Sequence, residues 1–266
     1  MARHYAWGDY FWPHTTVFAN KLGIVDAEEL REVEHELTAD RQEQIKRGEV
    51  VIARTFDNAH LCAVHAHLFG EVYDWAGQWR TVDMVKGAST FAAVPWGIEV
   101  RLVEAAQVAA GADWAHVDRE GFAQGMGAFY AEINHAHSFR EGNGRTGKLV
   151  LDQLAERSSF VLDWDRVSGE EWNQASARTH PPAFSGRAPD RTPRVPVFRG
   201  LTVDREPGFP GDAESARAGD AVRLAGLSHP RGVGEQLADR RYGSDSGGYR
   251  ASESTLYRGS EEERGR

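Results

Sequence analysis

Apolar positions recur at helical spacing through most of the chain. Leu30, Val33, Leu37 and Ile45 return at three- to eight-residue intervals behind Asp26 and Glu29, which make an N-cap and capping-box pair. Asp57 stands before a second stripe of Leu61, Val64 and Leu68. Asp118 stands before a third, Phe122, Met126, Phe129, Tyr130 and Ile133. Leu149-Val-Leu-Asp-Gln-Leu154 is apolar on most sides and reads as a buried helix. Between the second and third stripes the period shortens. Trp79 to Val85 alternates roughly, and Lys86-Gly-Ala-Ser-Thr-Phe91 supplies a turn, which predicts one short exposed hairpin. The fold class expected is mostly α: a helical bundle carrying a single β-hairpin, with no internal repeat at solenoid spacing.

Past Phe184 the period is lost. Residues 185–266 hold 14 Arg, no Lys, 13 acids, 13 of the 28 Gly and 6 of the 10 Pro, whereas all eight Trp precede them. Such a segment buries too little apolar surface to offset the entropy of ordering it. Residues 1–184 are therefore expected to form the globular domain and 185–266 a mostly disordered Gly/Pro/Arg-rich tail, from which Val195 to Phe198 can still dock. The net charge of -9 is the sum of an acidic first part and a nearly neutral tail, leaving no global attraction to nucleic acid. No stretch approaches the roughly 20 apolar residues that span a bilayer. The N-terminus lacks the apolar core of a secretory signal. One cysteine, Cys62, excludes an internal disulfide framework and points to the cytoplasm.

The chemistry concentrates in His137-Ser-Phe-Arg-Glu-Gly-Asn-Gly-Arg-Thr-Gly-Lys148. Gly142-Asn143-Gly144 joins two helical patterns and lets the backbone approach a ligand. Unpaired N–H groups at a helix start form an anion site. Arg145 and Lys148, three residues apart, share a face of that helix. Glu141 is a hard carboxylate of the kind that holds Mg²⁺ beside phosphates. His137 is placed to take a proton from a hydroxyl. A base, a metal carboxylate, an amide cradle and two cations are the parts of phosphate-ester transfer. His135 and His137 do not make a zinc site, because no convincing third and fourth ligands accompany them.

The segment resembles the motif of the Fic-domain family, H-x-F-x-D/E-G-N-G-R-x-x-R, at every position but the last. The resemblance spans roughly residues 8 to 180. It includes Phe69 to Val82, the loop Lys86 to Phe91 as a target-docking flap, Asn20 to Ile24, and Leu162-Asp-Trp164 as in bacterial Fic toxins. It implies a Fic-type helical bundle and a protein adenylyltransferase that uses ATP and Mg²⁺. His137 would be the general base, Phe139 a loop anchor and Glu141 the Mg²⁺ ligand. Gly142, Asn143, Gly144, Arg145 and Lys148 would bind the nucleotide, and Lys86, Gly87, Thr90 and Phe91 would align a target chain by strand pairing. The resemblance also implies a toxin acting on the B subunits of DNA gyrase and topoisomerase IV. The family's inhibitory pattern, S/T-x-x-x-E-G/N, has no full match here; Thr202 to Glu206 has the spacing, but Pro207 follows. A separate small antitoxin is therefore expected. Lys148 departs from the family's final Arg: it keeps the charge but loses the bidentate fork. That leaves two alternatives, another nucleotide-derived transfer such as phosphorylation, or a domain that binds nucleotide or protein with weakened catalysis.

Overall fold

The computed structural model describes residues 4–86, 89–182, 185, 187–206 and the backbone of 249–250, with Lys86 and Ser89 described by backbone alone. Among them lie helices α1 (Ala27–Lys46), α2 (Asn58–Phe69), α3 (Trp96–Gly111), α4 (Arg119–Ala136), α5 (Asn143–Ala155), α6 (Gly169–Thr179) and α7 (Val195–Leu201). The hairpin is β1 (Val85–Lys86) with β2 (Ser89–Thr90). A second small sheet pairs β3 (Phe160–Leu162) with β4 (Thr202–Asp204). Among the described residues no helix is long and apolar enough to cross a membrane.

The expected N-caps do their work. Asp26 accepts from the Glu28 and Glu29 N–H groups, Asp57 from His60, and Asp118 from Gly121. α4 is the spine of the bundle. α3 runs along one side, while α5, α6 and α7 pack on the others. Its stripe of Phe122, Met126, Phe129, Tyr130 and Ile133 is buried as the spacing requires. Because α4 is enclosed on so many sides, it also buries Glu132, whose charge is met by Arg101 of α3 at 2.8 Å and Arg191 at 2.6 Å. A buried carboxylate without such partners would be strongly destabilising.

Two helices have no counterpart in the apolar pattern read above. α3 starts at Pro95 without a side-chain cap and buries Ile98, Leu102, Ala105 and Ala109, a stripe half made of alanine. α6 is capped by Ser168 and sinks only Trp172, Ala175 and Thr179. The packed body also runs past residue 184. Phe198 and Leu201 are fully buried, and β4 pairs antiparallel with β3, Leu162 opposite Thr202. Four apolar residues scattered among Arg and Pro give no sequence period, yet they fill the slot beside α4 and the turn before α6. The remainder of the expected tail, apart from 249–250, lies outside the described residues. Tyr249–Arg250 (β5) adds antiparallel to the outer edge of β1, Arg250 opposite Val85 and Tyr249 opposite Lys86.

Two buried histidines make stability depend on pH. Burial pushes His65 down to about 3 and, aided by Arg101 and Arg80, His135 down to about 4. Below 6.5 the unfolded chain protonates both, while the native state refuses those protons. Burial pushes Asp152 up to about 7, and it opposes them with one proton. The balance favours the histidines, so the melting temperature is expected to fall as pH drops from 6.5 toward 4.5. A flat or rising melting temperature over that window would contradict the assignment of both rings as neutral.

Candidate active site

The motif lies where α4 ends and α5 begins. His137 is the C-cap of α4 in the left-handed region, φ 41°, and Gly142 is the N-cap of α5 with φ 80°. Between them the loop is closed by Asn143. Its Oδ1 accepts from the Phe139 N–H at 2.9 Å, and its Nδ2 donates to the Phe139 carbonyl at 2.8 Å. Phe139 is buried and stacks on His65 with ring centroids 3.8 Å apart. The Gly77 N–H donates to His65 Nδ1 at 2.8 Å, so Nε2 carries the proton and donates to the Glu141 carbonyl at 3.0 Å. His65 is thus a neutral strut under the loop. The first-turn N–H groups of α5 have no acceptor within their helix, and Gly142 supplies no side-chain cap, which leaves an anion cradle.

Only glycine fits at 142. Its φ is left-handed, and a Cβ would drive into the Phe69 ring and come within 3.1 Å of His65 Nε2. Gly142→Ala is expected to lower the melting temperature and reduce nucleotide affinity at least tenfold. Unchanged ATP binding by calorimetry would show that the loop tolerates a different path.

The cations of the motif have distinct surroundings. Arg145 is buried and paired with Glu34 of α1. Its Nη1 donates to Thr38 Oγ1 at 3.3 Å, Glu141 lies 3.8 Å away, and its guanidinium sits 4.6 Å from the Phe69 ring centroid. Burial alone would lower its pKa, but Glu34 and Glu141 outweigh that and raise it. Tyr73 also donates to Glu34, and its hydroxyl is held well above its ordinary pKa by burial and that carboxylate. The one signal of Glu34 in the sequence is its place on the inner face of α1, four residues from both Leu30 and Thr38, where an apolar residue is expected. Lys148 is buried with its Nζ 4.8 Å from the Trp164 ring and 5.1 Å from Trp172. Burial pulls its pKa down to about 7, with Asp152 acting against that and Arg194 adding to it. Asp152 accepts from Trp164 Nε1 at 2.7 Å. Arg140 is enclosed by Trp7, Tyr10, Phe11 and Phe18, its guanidinium 4.2 to 5.5 Å from their rings, an aromatic cage that anchors the N-terminal segment beneath the loop.

The hairpin is fastened to the loop by Arg80, a residue that no motif or period in the sequence marks out. It is 2% exposed, and its side chain donates to four backbone carbonyls: His137 through Nε at 2.8 Å, Val82 at 2.7 Å, Ala136 at 3.3 Å, and Ala92. Its own N–H donates to the Ser138 carbonyl at 2.8 Å. Thr90 pairs with Val85 inside the hairpin, and Phe91 packs its ring on His137. Lys86 pairs with Ser89 through its backbone, and Gly87 lies outside the described residues.

Residues 55–155 match the sequence model of the Fic/DOC family. Over 171 residues the chain is 37% identical to protein adenylyltransferase VbhT of Bartonella schoenbuchensis, a match covering 64% of this chain and 35% of that protein. It is 31% identical over 167 residues to the probable protein adenylyltransferase Fic of Salmonella typhimurium, covering 63% and 82%. The chain belongs to the Fic/DOC family. The Fic chain spans only about a third of VbhT but most of the Salmonella protein. Its fold is that of solved Fic structures. BepC from Bartonella tribocorum with bound AMPPNP superposes with a TM-score of 0.64 at 20% identity, over 74% of this chain and 97% of that one. The type IV secretion effector BepA gives 0.59 at 26% identity, over 73% and 68%.

Within this Fic chain the donor set suits one metal. Among the described residues no cluster of three or more His, Cys, Asp or Glu could hold an ion by itself. Mg²⁺ characteristically takes one or two carboxylates plus substrate phosphates. Glu141, beside the amide cradle and Arg145, meets that requirement.

Proposed function

We propose that this nucleotidyltransferase moves AMP from ATP to a hydroxyl side chain of a target protein. The observation that carries the reading is the convergence of His137, Glu141 and Arg145 on one loop that closes onto the start of α5. His137 takes the proton of the incoming hydroxyl. That oxygen bonds to the α-phosphorus, the bond from the α-phosphorus to the bridging oxygen breaks, and pyrophosphate departs with the electron pair. The α5 amides and Arg145 hold the phosphates, and Glu141 would hold Mg²⁺, which would neutralise developing charge. Arg145 keeps its pairing with Glu34, which fixes the guanidinium beside the loop where its positive charge faces the phosphates. The names of the relatives support adenylylation as the transfer. The outer edge of β1 pairs with β5 in antiparallel register, which supports strand addition there, with a target strand taking the place of β5, as the way a target docks.

As further parts of this proposal, the protein is a cytoplasmic toxin whose targets are the B subunits of gyrase and topoisomerase IV, restrained by a small antitoxin carrying the inhibitory helix. Within the chain the inhibitory spacing falls on β4, where Thr202–Asp204 are extended and cannot present the helical face it needs. Co-expression with a neighbouring small open reading frame should relieve growth arrest, and persistent arrest would remove the antitoxin from the account. Incubation with ATP labelled at the α or γ position tests the chemistry: the target should take up only the α label, and uptake of γ label would replace adenylylation by phosphorylation.

The reading of weakened nucleotide handling rests on Lys148, whose amine faces indoles. Lys148→Met is expected to leave the KM for ATP within about threefold, since burying a methyl group there removes no phosphate contact. A tenfold rise would place the amine on the terminal phosphate.

A further inference from the structure

We propose that Phe91 is a positioning residue for the base: it holds the His137 imidazole, is itself held by His180, and links the setting of the base to strand pairing in the flap. The inference rests on the adenylyltransferase reading above and deepens it. The Phe91 and His137 rings stack at 3.8 Å between centroids and 14° between planes. The His180 ring meets Phe91 edge-on, at 4.9 Å and 82°. Phe91 is 6% exposed, so its ring faces the base and not an incoming chain.

Each member of the stack is fixed by a different element. Arg80 and the left-handed φ hold the backbone of His137, but neither sets its ring. The Phe91 ring lies flat on the face of that imidazole and limits how it can turn. His180, just after α6, is oriented by α4. Asn134 Nδ2 donates to its Nε2 at 3.2 Å, which leaves the proton on Nδ1, and that Nδ1 lies 3.4 Å from Nδ1 of His135. With His135 kept neutral by burial, its Nδ1 serves as the acceptor. Asn134 Nδ2 is steadied in turn by Thr179 Oγ1 at 3.1 Å.

Phe91 occupies the junction between the hairpin and the bundle. Its N–H donates to the Met84 carbonyl at 3.1 Å, continuing the pairing of Val85 with Thr90, and the next N–H, of Ala92, donates to the His135 carbonyl at 2.9 Å. A strand on the outer edge of β1, whether β5 or a target taking its place, therefore acts on a ladder whose last rung carries the ring covering the base. Reacting groups displaced by about 1 Å lose on the order of a hundredfold in rate, so a small tilt of this ring is enough to set or unset His137.

The test uses the full chain with α-labelled ATP, a target-bearing lysate, and proton resonances of the His137 ring. Phe91→Leu keeps an apolar side chain but removes the stacking face. It is expected to lower kcat about 10- to 100-fold, with the KM for ATP within about twofold and the melting temperature near wild type. Phe91→Tyr should restore most of the rate. His180→Ala should lower kcat alone and add little on top of Phe91→Leu, because both act through one ring. The stacked ring should shift the His137 carbon-bound protons upfield in the wild type and in Phe91→Tyr, and not in Phe91→Leu. Wild-type kcat in Phe91→Leu with that shift gone would overturn the inference. So would a rise confined to the KM for the target, which would make Phe91 a docking residue. If the wild type transfers no α label, the adenylyltransferase reading fails, while the resonance shift still reports whether the stack exists.

Discussion

His137→Ala is expected to reduce transfer of labelled AMP by a factor of about 10² to 10⁴, the contribution typical of a positioned general base, while the fold stays intact. The ring is buried but sits at the end of α4, where its backbone duties are met by the main chain. Its N–H bonds to the Ile133 carbonyl at 3.1 Å, and its carbonyl accepts from Arg80 at 2.8 Å. Alanine keeps both bonds, although the left-handed φ of 41° is less comfortable for it and melting should fall slightly. ATP affinity should change little, because the cradle amides, Glu141 and Arg145 are untouched. The decisive measurement is intact mass of candidate targets after incubation with ATP and Mg²⁺. Wild type should add one AMP and His137→Ala none. Equal addition by both proteins would remove His137 from the chemistry and move the base elsewhere in the site.

The second large effect is on stability. Glu34→Ala should cost about 3–5 kcal/mol, the usual result of stripping one partner from a buried ion pair. The guanidinium of Arg145 would keep Glu141 at 3.8 Å but lose its direct partner, and the Tyr73 hydroxyl would lose its acceptor. For a body of this size that corresponds to a fall in melting temperature of roughly 10 °C or more. ATP should recover part of the loss, because its phosphates offer Arg145 a new anion. Thermal melts of wild type and variant with and without ATP–Mg²⁺ read both effects. A variant that melts within a degree or two of wild type would mean that the pair is not the support for Arg145 described above.

The sequence by itself determined what depends on near neighbours along the chain. Asp26, Asp57 and Asp118 cap helices because their side chains reach N–H groups two or three residues away. The stripe from Phe122 to Ile133 had to be buried by its period alone. The loop from His137 to Arg145 was legible because a short turn between two helices brings its members together whatever the rest of the fold does. The tertiary structure decided what depends on distant partners. Glu34 lies 111 residues from Arg145, and Arg80 lies 57 from His137. A buried charge looks like any surface charge in sequence until the fold shows which carbonyls or guanidinium it meets. Lys148 kept its motif position, but Trp164 and Trp172 set its environment and pulled its pKa to about 7. Phe198 and Leu201 belong to the core although their segment has the composition of a tail, because the slot they fill exists only once α4 and α6 have packed. Local spacing thus identifies the residues of the site. Their charge state, orientation and support come from contacts that chain closure creates, because burial and opposing charge act through space.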